Sequence, residues 1–564
     1  MTTETMSDAA TEPIDVESAS SASGRSLGEL VLEHGGLLFD LQDASPVDPD
    51  DPRADVRPGD VHLHSGRVAT GDLFAGLPGL RVDGATFVPE AIRRGAAAVL
   101  LPADRPVDAL AARCRSNGIH GRGALAWVHP RAASVVGEIA NSVHGDAASE
   151  IDLVAVTGTN GKTSVAHLTA QLLGRAERAC AIIGTAGHTI LGAEGPIHLS
   201  AGHTTPDVTE TVRLLARHGV NGGDAAVMEA SSHALVQGRL AGLRLRAAAF
   251  TNLTREHLDF HGTMEAYFDA KAKLWDHVEP GGTAVIFGHT DAAEGMRAIA
   301  ADRGLRVLRV DVERDADLVA RDLVFDDRGV RFEMVGAGLA PRRVRVPFSE
   351  DHNVENALVA VGLARALGMP SIPLVEALPR IACPPGRLES IHLPRGFDGD
   401  ELDVFVDYAH SPDALARVLA TVRRDADRRG RGRLLCVFGC GGDRDRGKRA
   451  EMGRAVGSIA DVAIVTSDNP RSVEPSKIAD AVARGVDAAD GRRIVELDRR
   501  RAIEKAIAIA RDGDVLVVAG KGHENTQTIG DRAVPFDDRV VVWEALASLA
   551  AQRAKTRALG RIGR

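Results

Sequence analysis

The sequence predicts an α/β protein built from three domains. The chain has 564 residues, and at roughly 150 residues for each domain this length requires several separate cores. Short apolar runs alternate with helical patterns and polar turns along most of the chain, which favours mostly parallel sheets covered by helices on both faces. One such run, in residues 153–173, passes through a glycine-bearing turn into an amphipathic helix. This strand–turn–helix pattern is typical of nucleotide binding.

The composition is that of a globular protein that does not coat nucleic acid. Hydrophobic residues make up 44% of the chain and charged residues 26%, and the net charge of −10 opposes a broad nucleic-acid interface. No apolar run reaches the ~18 residues that a membrane span requires. The five cysteines are too few and too scattered for a disulfide framework, which indicates a reducing cytoplasm.

The chain divides into five stretches. Residues 1–26 are acidic and rich in Ser and Thr, so we expect a disordered tail without the basic and apolar parts of a signal peptide. The remaining stretches are a first α/β domain at 27–146, a central domain at 147–385, a third domain at 386–550 and a basic tail at 551–564.

The first domain is expected to be small. Residues 87–101 read as a helix that leads into a strand. A polar cluster lies beside apolar segments at Ser65, Arg67 and the turn at 71–74. From the residues alone this cluster is ordinary loop sequence.

The central domain opens on the proposed phosphate turn. Gly158 and Gly161 allow the backbone to approach a ligand, and the helix that follows directs its free N–H groups at an anion. Lys162 supplies a charge for the β- and γ-phosphates, and Thr163 a hydroxyl for a magnesium ion. The strict G-x-x-x-x-G-K-[ST] pattern requires a glycine where this chain has Val156, so the turn is a shortened variant.

Polar residues follow later strands of the same domain. Glu229, Asn252 and His257 come just after apolar runs, where parallel α/β sheets bind ligands. A carboxylate at the end of a buried strand is costly unless it faces a cation, whereas a loop histidine is usually only solvated.

Lys271 has two readings. It lies on a partly apolar helix that also carries Tyr267 and Trp275. A structural lysine would extend its ammonium to solvent. A buried one would have a depressed pKa and a neutral amine that can react with carbon dioxide, and the resulting carbamate could ligate a metal.

The third domain repeats the strand–loop rhythm, which predicts a second doubly wound sheet. Arg444, Arg471 and Glu524 lie at strand ends of this sheet. Two guanidiniums and a carboxylate suit a zwitterionic small molecule with an extra carboxylate, although scattered surface charge would give the same residues.

These motifs together resemble the Mur ligases, and within them the UDP-N-acetylmuramoyl-tripeptide synthetases. The resemblance covers residues 60–545. Its motifs are GTNGKT at 158–163, TTPD at 204–207, EASSHAL at 229–235, NLTREHLDFHG at 252–262, YFDAK at 267–271, DHNVENALVA at 351–360, GRLE at 386–389, DYAHSPDAL at 407–415, GCGGDRDRGKR at 439–449, DNPR at 468–471 and GKGHE at 520–524.

The resemblance implies a fold and a set of sites. The fold is a UDP-binding N-terminal domain, a central P-loop ATPase domain and a C-terminal Rossmann-like domain. The nucleotide site would comprise Gly158, Thr159, Asn160, Gly161, Lys162, Thr163, Ser164, Asn353, Asn356, Arg387 and Asp407. The UDP-muramoyl-dipeptide site would comprise Ser65, Thr204, Thr205, Ser231, Gln237 and Arg239. The amino-acid site would comprise Arg444, Asp468, Asn469, Pro470, Arg471, Gly520 and Glu524. Magnesium would be held by Thr163, Glu229, His257 and carbamylated Lys271, and the catalytic residues would be Lys162, Lys271 and His257.

The reaction that the resemblance implies is ATP- and Mg²⁺-dependent amide formation in cytoplasmic peptidoglycan precursor synthesis, a process tied to cell shape and division. The dipeptide carboxylate would form an acyl phosphate, which the amine of meso-diaminopimelate then displaces. The family associates DNPR with this amino acid, and a guanidinium at Arg471 needs the distal carboxylate that lysine lacks. We expect a monomer that acts on small molecules, with no nucleic-acid or membrane partner.

Three departures from the family pattern stand out. His64-Ser65-Gly66-Arg67 replaces the usual D-S-R near the uracil, His203 replaces an asparagine, and Phe287-Gly288-His289 replaces a more polar loop.

Three alternatives remain at this point: the same reaction with lysine or another diamino acid, a folylpolyglutamate synthetase-like ligase, and a nucleotide switch that hydrolyses ATP without ligation. EASSHAL together with DNPR opposes the second alternative.

Overall fold

The computed structural model describes residues 24–79, 82–119, 123–326, 329–336, 338–348, 351–391, 402–443 and 445–562. The first 23 residues of the predicted tail and Arg444 of the predicted amino-acid site lie outside the described residues. The first element of the described chain is helix α1 (Leu27–His34), whose start is fixed by a capping box: the Ser26 hydroxyl accepts from the Glu29 backbone N–H, and the Glu29 carboxylate accepts from the Ser26 backbone N–H.

The first unit is a six-stranded sheet with the order β2-β1-β6-β5-β4-β3. Strands β3 to β6 are parallel, whereas β1 and β2 add antiparallel strands at one edge. Its elements are α1 (Leu27–His34), β1 (Leu37–Asp40), β2 (Pro46–Val47), β3 (Val61–His62), β4 (Leu73–Ala75), α2 (Val88–Arg93), β5 (Ala98–Pro102), α3 (Val107–Ser116), β6 (Leu125–His129) and α4 (Ala132–Val143). The helix and strand predicted at 87–101 are confirmed as α2 and β5.

The central unit is an eleven-stranded sheet with the order β10-β9-β8-β11-β7-β12-β13-β14-β15-β16-β17. Strands β8, β11, β7, β12, β13, β14 and β15 are parallel, and antiparallel strands extend both edges. Its elements are β7 (Asp152–Thr157), α5 (Lys162–Arg175), β8 (Cys180–Gly184), β9 (Gly187–Gly192), β10 (Gly195–Leu199), α6 (Val208–Val220), β11 (Ala225–Glu229), α7 (Ser232–Val236), β12 (Leu245–Phe250), α8 (Leu258–His261), α9 (Met264–Ala272), β13 (Val278–Phe287), α10 (Asp291–Asp302), β14 (Arg306–Val312), β15 (Leu318–Asp326), β16 (Gly329–Gly336), β17 (Leu339–Val346), α11 (Asp351–Ala366) and α12 (Ser371–Ala377).

The third unit is a six-stranded sheet with the order β18-β19-β23-β20-β21-β22, parallel except for β18. A separate hairpin, β24–β25, follows it. The elements are β18 (Glu389–Ser390), β19 (Leu402–Asp407), α13 (Pro412–Arg428), β20 (Leu434–Phe438), α14 (Lys448–Gly457), β21 (Val462–Val465), α15 (Pro475–Asp487), β22 (Arg493–Val495), α16 (Arg499–Ile509), β23 (Asp514–Ala519), β24 (Thr526–Ile529), β25 (Arg532–Pro535) and α17 (Asp538–Ile562). Helix α17 runs on through residues 551–562 of the predicted basic tail.

The first two units share one apolar core, whereas the third has its own. A continuous buried cluster extends from the first sheet to one face of the central sheet. Helices α4 and α6 meet in this cluster, and they approach so closely at Gly137 that a Cβ there would lie 2.6 Å from the Cγ2 atom of Val208 on α6. The described residues 402–546 instead form two separate clusters, one on each face of the third sheet.

Among the residues that the structure describes, no helix combines the length and apolar character needed to cross a lipid bilayer. The five cysteines are free thiols.

Candidate active site

The phosphate turn joins β7 to α5 at the centre of the large sheet. Gly158 and Gly161 have φ values of 152° and 87°, in the region that favours glycine. A Cβ on Gly158 would lie 1.9 Å from the Thr251 hydroxyl, and one on Gly161 would lie 2.5 Å from Asn356 Oδ1. Both positions therefore require glycine for lack of space as well as for backbone conformation.

The loop after β12 holds the turn in place. Asn252 Oδ1 accepts from the Asn160 backbone N–H at 2.9 Å, and the Thr251 hydroxyl donates to the Asn160 carbonyl at 2.6 Å. The Thr159 hydroxyl lies 3.2 Å from the Tyr267 hydroxyl. Because these contacts fix the turn without a ligand, its N–H groups at the start of α5 are already arranged for a phosphate. Ser164 is buried one turn into the helix.

Lys162 folds back over the turn. Its ammonium donates to the carbonyls of Gly158 and Thr159, both at 2.9 Å. Burial lowers its pKa, and the Glu229 carboxylate acts in the opposite direction. A nucleotide phosphate offers this ammonium a charged acceptor in place of two neutral carbonyls.

Glu229, at the end of β11, accepts hydrogen bonds from two threonine hydroxyls. Both of its carboxylate oxygens lie 3.0 Å from the Thr163 hydroxyl, and the Thr185 backbone N–H donates to it at 2.7 Å. The Thr185 hydroxyl lies 3.1 Å from both Glu229 and Thr204. A carboxylate and a hydroxyl beside a phosphate turn are the hard oxygen ligands that suit Mg²⁺, so these residues fit the ion.

His257 and Lys271 stand on the other side of the turn. The Lys271 ammonium is buried, donates to the Gly158 carbonyl at 2.7 Å and lies 4.4 Å from the centre of the Tyr267 ring. Burial and then the nearby Lys162 charge hold the pKa of Lys271 well below its usual range. Burial, followed by surrounding cationic groups, lowers the pKa of His257 to about 2, so this imidazole is neutral. Among the described residues no three His, Cys, Asp or Glu side chains form a cluster that could hold a metal.

The far side of the nucleotide site comes from α11 and from the chain that enters the third unit. Asn353 and Asn356 are buried and linked by a hydrogen bond of 3.1 Å. Arg387 donates to the Thr163 hydroxyl at 3.2 Å and stacks 4.5 Å from the centre of the Tyr408 ring. Asp407 accepts from the backbone N–H groups of Leu388 and Ala409. The structure therefore brings Arg387 directly to the phosphate turn, 224 residues away in sequence.

The predicted dipeptide-binding residues fall into two places. Thr205, Ser231, Gln237 and Arg239 form one network, in which Arg239 donates to the Thr205 carbonyl at 2.7 Å and to Gln237 at 2.9 Å. Thr204 joins this network to Glu229 through Thr185.

Ser65 lies apart from this network, in the first unit. Its hydroxyl donates to Glu90 at 3.0 Å, while neighbouring Arg67 pairs with Glu210 of the central unit at 3.0 Å.

The predicted amino-acid residues that the structure describes lie around the carboxyl end of the third sheet. Asn469 donates to Glu524 at 3.0 Å, and Gly520 packs so closely that a Cβ there would lie 2.7 Å from Asp468. Arg471 donates to the Gly442 carbonyl at 2.9 Å. The Pro470 carbonyl lies 1.8 Å from where a Cβ on Gly442 would be.

Several residues near these sites were not predicted from the sequence. Buried Lys521 donates to Glu524 at 2.8 Å, Asp413 accepts from Asn160 at 3.1 Å, and His523 lies 3.2 Å from the Thr185 carbonyl. Lys521 and His523 lie within the GKGHE motif, which offered a signal for them. Asp413 likewise lies within the DYAHSPDAL motif, whereas Thr185 had no such signal, because its partners are distant in sequence.

These features define a nucleotide-dependent α/β enzyme whose phosphate turn faces a second ligand-binding sheet. Family models match residues 61–148 as "Mur ligase family, catalytic domain", residues 156–364 as "Mur ligase middle domain" and residues 386–522 as "Mur ligase, glutamate ligase domain". The chain belongs to the Mur ligase family, as the sequence predicted.

Two sequence relatives and one solved structure match most of this chain. The UDP-N-acetylmuramoyl-L-alanyl-D-glutamate--2,6-diaminopimelate ligases of Gloeobacter violaceus and Synechococcus sp. strain WH7803 are 40% and 42% identical to it, over 87% and 85% of this chain and 94% and 92% of theirs. A solved structure of a ligase with the same name is 33% identical, with a TM-score of 0.60 over 91% of this chain and 99% of its own. The three-domain α/β fold is thereby confirmed.

Proposed function

We propose that this protein is the ATP-dependent ligase that adds meso-2,6-diaminopimelate to UDP-N-acetylmuramoyl-L-alanyl-D-glutamate. The observation that carries the proposal is that the phosphate turn of the central sheet and the Arg471–Glu524 region of the third sheet belong to one chain, whose central and third units are linked by direct contacts. The names of relatives that match over more than nine-tenths of their length support the same substrates. Its partners are thus small molecules in the cytoplasmic steps of peptidoglycan synthesis.

Each of the three units is assigned one substrate. We assign residues 27–146 to the uridine nucleotide, 147–385 to ATP and 386–550 to the amino acid. The network of Thr205, Ser231 and Arg239 supports a dipeptide site beside Glu229, where a carboxylate could reach the γ-phosphate.

The proposed reaction has two steps. The terminal carboxylate of the dipeptide attacks the γ-phosphate of ATP, giving an acyl phosphate and ADP. The neutral amine of diaminopimelate then attacks the acyl carbon, phosphate leaves and the surplus proton passes to solvent. Lys162 at the turn and Arg387 beside Thr163 stabilise the charge on the transferring phosphoryl group.

Magnesium would be held by Thr163 and Glu229 on one side of the phosphates. When bound, it neutralises phosphate charge and polarises the phosphoryl group. The hydroxyls that surround Glu229 keep its carboxylate oriented towards the turn.

We assign Lys271 as a carbamate that would supply an anion near His257. Its burial, its depressed pKa and its position at the turn support this assignment, because only a neutral amine reacts with carbon dioxide. With ¹³C-labelled bicarbonate, we expect the protein to show a carbamate carbon resonance in NMR spectra. That resonance should vanish in Lys271→Ala and persist in Lys273→Ala, a half-turn away and exposed. Absence of the resonance from the unchanged protein would refute the assignment.

Phosphate release tests the function as a whole. We expect release only when ATP, the UDP-muramoyl-dipeptide and an amino acid are all present, with diaminopimelate far ahead of lysine and ornithine. Release without the dipeptide would indicate a nucleotide switch, and equal rates with lysine would refute the amino-acid assignment.

A further inference from the structure

Among the described residues, Lys448 and Glu256 form a buried ion pair at the boundary between the central and third units. Lys448 Nζ lies 2.9 Å from Glu256 Oε1, and the two side chains are only 8% and 9% exposed. A neighbouring contact, between Arg255 and Asp445, is longer at 3.8 Å and has an arginine that is 54% exposed. Water and salt screen an exposed pair but barely affect a buried one.

Each partner of the pair is attached to a different part of the site. Glu256 comes directly before His257, in the loop that continues from Asn252 and the phosphate turn. Lys448 is the first residue of α14 and ends the loop that begins after β20. The Gly442 carbonyl in that loop accepts a hydrogen bond from the guanidinium of Arg471. The pair therefore ties the loop that supports Arg471 to the loop that supports the phosphate turn.

Stability alone does not account for this pair. Glu256 Oε2 is buried without a hydrogen-bond partner, so the carboxylate is desolvated more fully than Lys448 compensates. Buried ion pairs are often no more stabilising than apolar contacts of similar size, but they fix the relative position of two surfaces. Because the core of the third unit is separate from the core that the first and central units share, each side of the boundary can fold without the pair.

We propose that Lys448 and Glu256 are positioning residues. Their ion pair holds the loop between β20 and α14, which supports Arg471, over the acyl phosphate. The proposal rests on the function proposed above. The pair acts on the second step alone: it sets the distance between the incoming amine and the acyl carbon, while the first step uses groups of the central unit and Arg387. A displacement of about 1 Å at a reacting centre can cost about 10²-fold in rate.

The two steps can be measured separately on the full-length protein. Hydroxylamine traps the acyl phosphate as a hydroxamate in the absence of amino acid, and phosphate release with diaminopimelate reports complete ligation. In Lys448→Met we expect kcat/KM for diaminopimelate to fall about 10²-fold, with hydroxamate formation retained within about 3-fold of the unchanged protein. Retained hydroxamate formation also shows that the variant is folded.

A double-variant cycle tests whether the two residues act together. If Lys448→Met and Glu256→Gln remove the same contact, the double variant should be no slower in ligation than the slower single variant. Arg255→Ala is the matched control across the same boundary and should ligate at the unchanged rate.

Three outcomes would overturn the proposal. The first is a double variant whose loss of ligation rate is the product of the two single losses. The others are equal losses of hydroxamate formation and ligation in Lys448→Met, or a Lys448→Met protein that ligates at the unchanged rate. If the unchanged protein forms no hydroxamate, the proposed function itself is wrong, and the two failures are therefore distinguishable.

Discussion

Arg471 is held in a backbone conformation that few side chains adopt. Its φ is 50°, in the left-handed region. The chain pays for this strain with contacts to the β24–β25 hairpin: the Arg471 N–H donates to the Thr528 carbonyl at 3.1 Å, and its carbonyl accepts from Gly530 at 2.9 Å. These contacts fix the backbone from which the Arg471 side chain extends, so the fold limits where its guanidinium can lie.

Replacing Arg471 should therefore weaken amino-acid recognition but have a smaller effect on folding. In Arg471→Lys the planar guanidinium, which can hold a carboxylate through two hydrogen bonds, becomes a single point charge. We expect kcat/KM for diaminopimelate to fall by roughly 10- to 100-fold, as for a lost charged hydrogen bond of about 1.5–3 kcal/mol. Amino-acid-dependent phosphate release would measure this loss.

Arg501→Ala provides the control for that experiment. Arg501 lies on α16 in the same unit, its side chain is 74% exposed, and its nearest acidic partner is 3.9 Å away. It should behave as the unchanged protein. Full retention of diaminopimelate addition in Arg471→Lys would exclude Arg471 from the amino-acid site.

Individual site residues were predictable from sequence to different degrees. Lys162 and Thr163 follow from local chemistry, because a glycine turn before a helix has few other uses. Lys271 did not: its spacing fits a surface lysine as well as a buried one, and only the family resemblance favoured the carbamate. The structure shows the burial on which that chemistry depends, while the carbamate itself stays a prediction.

At the scale of elements, the parallel strands were predictable and the antiparallel additions were not. Strand β7, strand β11 and helix α5 follow from apolar runs and helical spacing that lie within a few residues of one another. The β9–β10 hairpin alternates more and less buried positions along both strands, whereas β15 does so only weakly. These strands pair with their neighbours in sequence, but their place at the edge of the sheet depends on where the strand before them lies. Strand β8, for example, is placed by pairing with the distant strand β11, which local patterns do not encode.

The β24–β25 hairpin is an example of a functional support that local sequence patterns do not predict. Within the described residues it is part of none of the three larger sheets, yet it supports the backbone of Arg471 from 57 to 59 residues away in sequence. Recognising the motif DNPR locates the arginine but not the support that orients it.

At the scale of the whole molecule, the distribution of apolar cores predicts how the protein unfolds. The first and central units share one buried cluster, while the third unit is joined to them by residues 382–391 and by mostly polar contacts. Units that share a core unfold together, and units that meet through polar contacts unfold separately.

Differential scanning calorimetry should therefore resolve two transitions in the ligand-free protein. A non-hydrolysable ATP analogue with Mg²⁺ should raise both midpoints and bring them closer, since it would contact Lys162 and Arg387 from different units. A single transition whose calorimetric and van't Hoff enthalpies agree would contradict this account.

The separate core of the third unit also bears on how such an enzyme can change over evolutionary time. The residues that we propose to select the amino acid, from Asp468 to Glu524, follow strands whose packing involves only their own unit. Mutations that remodel this choice need not disturb the shared core beneath the phosphate turn. The architecture thus lets lineages exchange one cell-wall building block for another while they inherit the same energy-coupling machinery unchanged.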